Sequence, residues 1–112
     1  MNITVETLAP DAALVCLDGR LDAANSLELK DRLAAMINTG CLRLIVDLER
    51  VPFIDSSGLV ALVSGLRLAR AQSGEIFLSG MQTQAQTVFR LTMLDRVFPI
   101  HPTAADAKAG LM

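Results

Sequence analysis

Tryptophan and tyrosine are absent from this 112-residue chain, and phenylalanine occurs only four times. Stacking platforms for bases or sugars therefore have little to be built from. Histidine occurs once, as His101, so a multi-histidine metal site is excluded. The two cysteines, Cys16 and Cys41, lack paired C-x-x-C spacing and read as buried free thiols in or beside apolar segments. No basic tract occurs and the net charge is −2, which argues against a nucleic-acid partner. No apolar run reaches the roughly 18 residues needed to cross a bilayer. The start, "MNITVETLAP", lacks the basic-then-apolar pattern of a secretory signal. A cytoplasmic protein without direct membrane insertion is expected. The phosphate-cradling G-x-x-x-x-G-K-[ST] loop and the G-x-S-x-G hydrolase elbow are both missing. No cofactor, metal or catalytic role is expected.

What is present is a large apolar share, 52% of residues, against 20% charged. Such a chain folds rather than stays disordered, and its length suits one domain spanning 1–112. Residues 3–8, "ITVETL", alternate apolar and polar as a strand does. A turn at 9–12, "APDA", leads into a second strand, "ALVCLDG" at 13–19, so an antiparallel hairpin is expected. Leu29, Leu33, Met36 and Ile37 then make one helical stripe, with Asn25 or Ser26 as its cap and Gly40 past its end. The centre of "LRLIVDLERV", 42–51, reads as a strand covered on both faces. Leu59, Leu62, Val63 and Leu66 make a second stripe, running to about Ala71. "IFLSG", 76–80, is a fourth strand. "TQAQTVFRLTML", 83–94, reads as a third helix with Val88, Leu91 and Leu94 on one side. "RVFPIH", 96–101, reads as a weak edge strand, because Pro99 cannot donate to a ladder. "TAADAKAGLM" is a short final helix or a frayed tail. Strand and helix alternate after the hairpin, which implies a mostly parallel sheet.

One short stretch, "FIDSSGL" at 53–59, sets an acid, two hydroxyls and a glycine at the junction of strand and helix. Two readings stand. Asp55 or Ser56 caps the helix, accepting hydrogen bonds from the orphan amides of its first turn. Alternatively, a serine there is open to a modifying enzyme. A phosphate would add about −1.5 to −2 charges, which the helix dipole and free amides tolerate. Such a modification leaves the fold standing and changes a surface, so it acts as a switch on an interface.

The stretch "DLERVPFIDSSGLVALV" resembles the signature of the STAS domain, the fold of bacterial anti-sigma factor antagonists. "LDGRLDAANSLELKDRL" resembles the family's other marker, a glycine turn followed by "LD" and a helix. The resemblance covers nearly the whole chain. It implies an α/β fold with a small mixed sheet and about four helices packed largely on one side. It also implies that Ser56 is the phosphorylation site of a cognate anti-sigma factor, an ATP-using serine kinase of the histidine-kinase-like superfamily. The bare antagonist binds that anti-sigma factor and frees a sigma factor, the phosphorylated one is released, and a PP2C-type phosphatase resets it. Asp55 then caps the helix or orients the hydroxyl, Ser57 and Gly58 complete the motif, and Gly58 permits close backbone approach. Asp22 matches the acid of the "LD" turn, as a turn residue or as a partner contact, and Asn25 lies just beyond it.

The chain departs from the family pattern at Val60, where many members have glycine. Val60, Ser64 and Arg67 form a second stripe beside the core stripe and are candidates for a partner surface. Two other roles compete with the switch. One is a non-phosphorylated STAS subunit of a larger assembly, such as a lipid-transport ABC complex. The other is a small-molecule sensor with a pocket between sheet and helices, for which composition gives no signal.

Overall fold

The structure, a computed structural model, describes residues 1–111. Five strands form one sheet in the order β1-β2-β3-β4-β5. Strands β1 (Asn2–Ala9) and β2 (Ala12–Asp18) make the expected antiparallel hairpin, with Thr4 opposite Cys16 and Val5 opposite Val15. Every later pairing is parallel: β2 with β3 (Arg43–Arg50), β3 with β4 (Glu75–Ser79), and β4 with β5 (Ile100–His101). Helices α1 (Ser26–Asn38), α2 (Ser56–Ala71) and α3 (Thr83–Leu91) are the connections between the parallel strands. A short helix, α4 (Ala104–Gly110), ends the described chain.

Alternation along β3 divides the molecule into two layers of contact. Leu44, Val46 and Leu48 pack with Leu29, Leu33 and Ile37 of α1, Leu62 and Leu66 of α2, and Phe89 of α3. Ile45 points the other way, and with Leu14 it covers Ala107 of α4. Thus β3 is covered on both faces, and three of the four helices share one side. Helices α1 and α2 approach closely because Gly65 has no side chain: a Cβ there would lie 2.9 Å from Leu33 Cδ1 and 3.0 Å from Ile76 Cδ1. At the other face, Arg43 forks onto both carboxylate oxygens of Asp11, at 2.9 and 3.0 Å, and also donates to the Leu111 carbonyl. The Arg43 hydrogen bond holds the Asp11 carboxyl below its usual range.

Three expectations need correction. The third helix stops at Leu91 and its buried residues are Ala85 and Phe89; of the expected row, Val88 and Leu94 pack half-buried against the core, while Leu91 is 76% exposed. Phe89 meets Phe98 edge-on, with ring centroids 5.9 Å apart, and that large contact outweighs the aliphatic row in fixing the helix rotation. Secondly, 96–101 is not a strand through its length. Residues Leu94–Arg96 form a 3-10 turn entered through Met93 in the left-handed region, and only Ile100–His101 pairs with β4. Lastly, Cys16 and Cys41 are free, as expected, but half-buried. Burial pushes both thiols up in pKa, which keeps them protonated and unreactive.

Candidate functional site

Parallel strands β2 and β3 end at the same edge of the sheet, and the loops that leave them, 19–25 and 51–55, meet there. Leu21 and Ile54 form an isolated parallel bridge. Leu21 N–H donates to the Phe53 carbonyl at 2.9 Å, and Asp55 N–H donates to the Leu21 carbonyl at 3.1 Å. Helices α1 and α2 both begin beyond this bridge. The carboxyl ends of parallel strands are where α/β folds commonly place their sites.

Asp55 is the cap of α2. Its Oδ1 accepts from Gly58 N–H at 3.0 Å, and its backbone is extended, as a cap requires. Its second oxygen, Oδ2, accepts from Ala23 N–H at 3.2 Å. One carboxylate therefore starts a helix and holds the neighbouring loop. Ser56 is the first helical residue and is exposed, while Ser57 beside it is half-buried. The choice between Asp55 and Ser56 as cap, open in the sequence, falls to Asp55.

Gly58 makes the junction close. A Cβ on it would lie 2.7 Å from Leu21 Cγ, 3.0 Å from the Leu21 carbonyl oxygen and 3.1 Å from Ile54 Cγ2. The first turn of α2 thus rests on the backbone of the neighbouring loop, which only glycine permits here.

Asp22 and Asn25 organise that loop. Asp22 Oδ1 accepts from Ala24 N–H at 3.0 Å, and Asn25 Oδ1 accepts from Asp22 N–H at 3.0 Å. Asn25 Nδ2 donates to the Arg20 carbonyl at 2.6 Å. Asn25 occupies the cap position of α1 but makes no side-chain cap bond, because its oxygen is taken by Asp22. These are turn roles, achieved by short polar side chains bonding nearby backbone.

Both helices that start at this junction expose apolar side chains near their N-termini. Val60, one turn into α2, is 61% exposed, and Leu27, in the first turn of α1, is 65% exposed. Ala23 and Ala24, in the loop before α1, are exposed too, and Ala23 N–H bonds the Asp55 carboxylate. Of the outer stripe on α2, Val60 and Arg67 are exposed and Ser64 is half-buried. Leu27 and Arg20 lie outside the α2 stripe, so its periodicity does not mark them. Arg20 lies over the Phe53 ring at 4.2 Å, and its Nε stands 3.9 Å from Asp22 Oδ2.

A serine nucleophile needs a base within reach. The His101 ring lies against Phe77, at 6.1 Å between centroids, on the sheet face that carries α4. Ser56 starts a helix on the other face, so Ser56 and His101 are not brought together. Among the described residues no group of three or more potential ligands is arranged to hold a metal. Two clefts lie away from Ser56. One, of about 250 Å3, is lined by Leu8, Ala12, Arg43, Lys108 and Leu111. The other, of about 300 Å3, is lined by Thr4, Cys16, Asp47 and Glu49.

The family model described as the STAS domain matches residues 3–107. BtrV of Bordetella bronchiseptica, assigned as an anti-sigma factor antagonist, is 30% identical over 111 residues, covering 98% of this chain and 94% of that protein. Among solved structures, a Thermotoga maritima protein assigned as an anti-sigma factor antagonist superposes with a TM-score of 0.90 at 23% identity, covering 96% of this chain and 92% of that one. The Bacillus cell fate determinant SpoIIAA in its phosphorylated form superposes with a TM-score of 0.79 at 20% identity, covering 99% of this chain and 100% of that one. At these identities the two superpositions speak to the fold.

Proposed function

The chain belongs to the STAS domain family, and from that premise we propose that it is an anti-sigma factor antagonist working by partner switching. It acts as one STAS unit and is not an enzyme. With Ser56 bare it binds a cognate anti-sigma factor that is also a serine kinase. Phosphorylation of Ser56 by that kinase releases it, and a PP2C-type phosphatase restores it. The observation that carries this reading is the placement of Ser56: exposed, first in its helix, beside a cap that does not need its hydroxyl. The half-buried Ser57 is the poorer substrate. BtrV, matched across nearly the full length of both chains, supports the antagonist role, and a phosphorylated relative of the same fold supports the modification.

The mechanism follows from charge and packing. A phosphate on Ser56 sits where the helix dipole favours it, so the fold of α2 survives. The same phosphate puts about two negative charges into a surface of Val60, Leu27, Ala23 and Ala24. A partner packed on that surface must then desolvate the charge or leave. Asp22, Asn25, Asp55, Ser57 and Gly58 set the shape of the loops, and Val60 supplies apolar contact.

Mass spectrometry of the protein from its native cells, with fragmentation across residues 51–67, tests the site. Phosphate on Ser56 is expected. Phosphate on Ser57 alone would keep the switch and refute the site. Its absence from both serines under several growth conditions would return the chain to the role of a subunit in a larger assembly, such as a lipid-transport ABC complex.

Val60 carries a separate prediction. Val60→Glu should weaken anti-sigma factor binding by about tenfold or more, because a buried unpaired charge is costly at an interface. Its melting temperature should stay near the native value, since Val60 is exposed. Calorimetric titration with the anti-sigma factor decides: equal affinity would remove Val60 from the partner surface.

A further inference from the structure

Ile54, two residues before Ser56, is an extended residue bridged on one edge only, to Leu21 of the neighbouring loop. The peptide groups of Phe53 and Asp55 turn toward Leu21 and bond with it. In an extended chain alternate residues present their N–H and C=O to opposite edges, so those of Ile54 point away from Leu21. Ile54 is 1% exposed, and a buried peptide group without a partner is strongly unfavourable. The side chain of Gln84, in the first turn of α3, serves both. Its Oε1 accepts from Ile54 N–H at 2.9 Å, and its Nε2 donates to the Ile54 carbonyl at 2.9 Å. A carboxamide carries a donor and an acceptor side by side, as a strand edge does, so Gln84 stands in for a third strand. Gln82 fastens the start of the same helix, donating from Nε2 to the Glu49 carbonyl at 2.8 Å.

We propose that Gln84 is a positioning residue for Ser56, holding the segment before it in the one geometry that the anti-sigma factor kinase recognises. It acts through the backbone of Ile54 and Asp55. The inference rests on the reading of Ser56 given above, and it adds α3 to a site otherwise built from the loops before α1 and α2.

The test pairs amide hydrogen exchange across residues 54–59 with phosphate occupancy of Ser56 in protein recovered from native cells. Gln84→Met keeps the side-chain length and loses both bonds. Gln84→Glu keeps an acceptor for Ile54 N–H and loses the donor. Gln86→Met is the control, since the Gln86 side chain donates to the Met81 carbonyl, just before the helix, and not to Ile54. In Gln84→Met, Ile54 N–H should exchange about tenfold faster or more, Gln84→Glu should fall between, and Ser56 occupancy should drop in both. Gln86→Met should match the native protein in both readouts. Unchanged Ile54 exchange in Gln84→Met would overturn the positioning role, and so would faster exchange with native occupancy. If the native protein carries no phosphate on Ser56, the switch itself fails, and the exchange rates still decide whether Gln84 fixes the loop. Should Gln84→Met not fold, Gln84→Glu carries the same comparison.

Discussion

Ser56→Asp should fold as stably as the native chain and lose binding to its anti-sigma factor by about a hundredfold, the scale of a like-charge or unpaired-charge penalty at an interface. Ser56→Ala should bind as the native protein does and never be released. The stability half of this expectation follows from the first turn of α2. A carboxylate near a helix N-terminus gains roughly 0.3–1 kcal/mol from the dipole. Asp55, whose own carboxylate caps the same turn, opposes it with a repulsion of similar size, so the two nearly cancel. The binding half follows from the surface: exposed Val60 and Leu27 offer apolar contact near the two helix starts, and a charge introduced at the start of α2 does not. Aspartate carries one charge where phosphate carries up to two, so the substitution should fall short of full phosphorylation in its effect. Thermal melts and titrations of the three proteins check both halves together. Weak binding by Ser56→Asp with a lowered melting temperature would mean that the charge unfolds the helix start, and an interface switch would then be the wrong mechanism. Native affinity in Ser56→Asp would show that the partner does not read this surface.

Much of this was legible in the sequence, for identifiable reasons. Periodicity of two marked β1 and β2, and the continuous apolar centre of β3 marked a strand covered on both sides. Leu29, Leu33 and Ile37, and then Leu59, Leu62 and Leu66, marked the helices because each stripe faces one uninterrupted sheet surface. Asp55 and Gly58 were legible as a helix start because capping is a local matter of a few residues. The segment after α3 was not legible. Apolar residues at 88, 91 and 94 suggested a longer helix, yet the chain turns at Met93 and buries Phe98 instead. One aromatic contact made across nine residues of chain decided that, and periodicity carries no information about it. Nor could the sequence say which face α4 covers, since Ala107 fits either.

Gln84 was illegible for a sharper reason. A glutamine on a helix reads as solvated, and nothing nearby marks its partner. Its side chain satisfies the N–H and the C=O of one residue thirty positions earlier in the chain, and both are orphaned because Ile54 is bridged to Leu21 on its other edge alone. The same holds for Asp55 Oδ2 and Ala23. Local pattern identifies who caps a helix, while the three-dimensional meeting of loops identifies what else the cap holds.

Gly58→Ala should lower stability by about 1–3 kcal/mol, the usual cost of adding a methyl to a filled contact. Helix propensity alone predicts the reverse, a gain of up to about 1 kcal/mol from replacing glycine with alanine in a helix. Packing decides between them. The added Cβ would stand 2.7 Å from Leu21 Cγ and 3.0 Å from the Leu21 carbonyl oxygen. Leu21 is fully buried, so its branch point has no free space to move into. Its carbonyl is held by Asp55 N–H, so the backbone cannot yield without breaking the bridge that orders the site. For a domain of this size, a loss of 1 kcal/mol shifts the melting temperature by roughly 4–8 °C, and the whole effect is readily measured. The relief of that clash must push the start of α2 away from the loop before α1, lengthening the contact of Asp55 with Ala23. Gly58→Ala should therefore also accelerate amide exchange at Ala23, far from the substituted residue in sequence. A melting temperature at or above the native value would show that Leu21 yields easily, and the close approach of loop and helix would then have no energetic weight in holding Ser56.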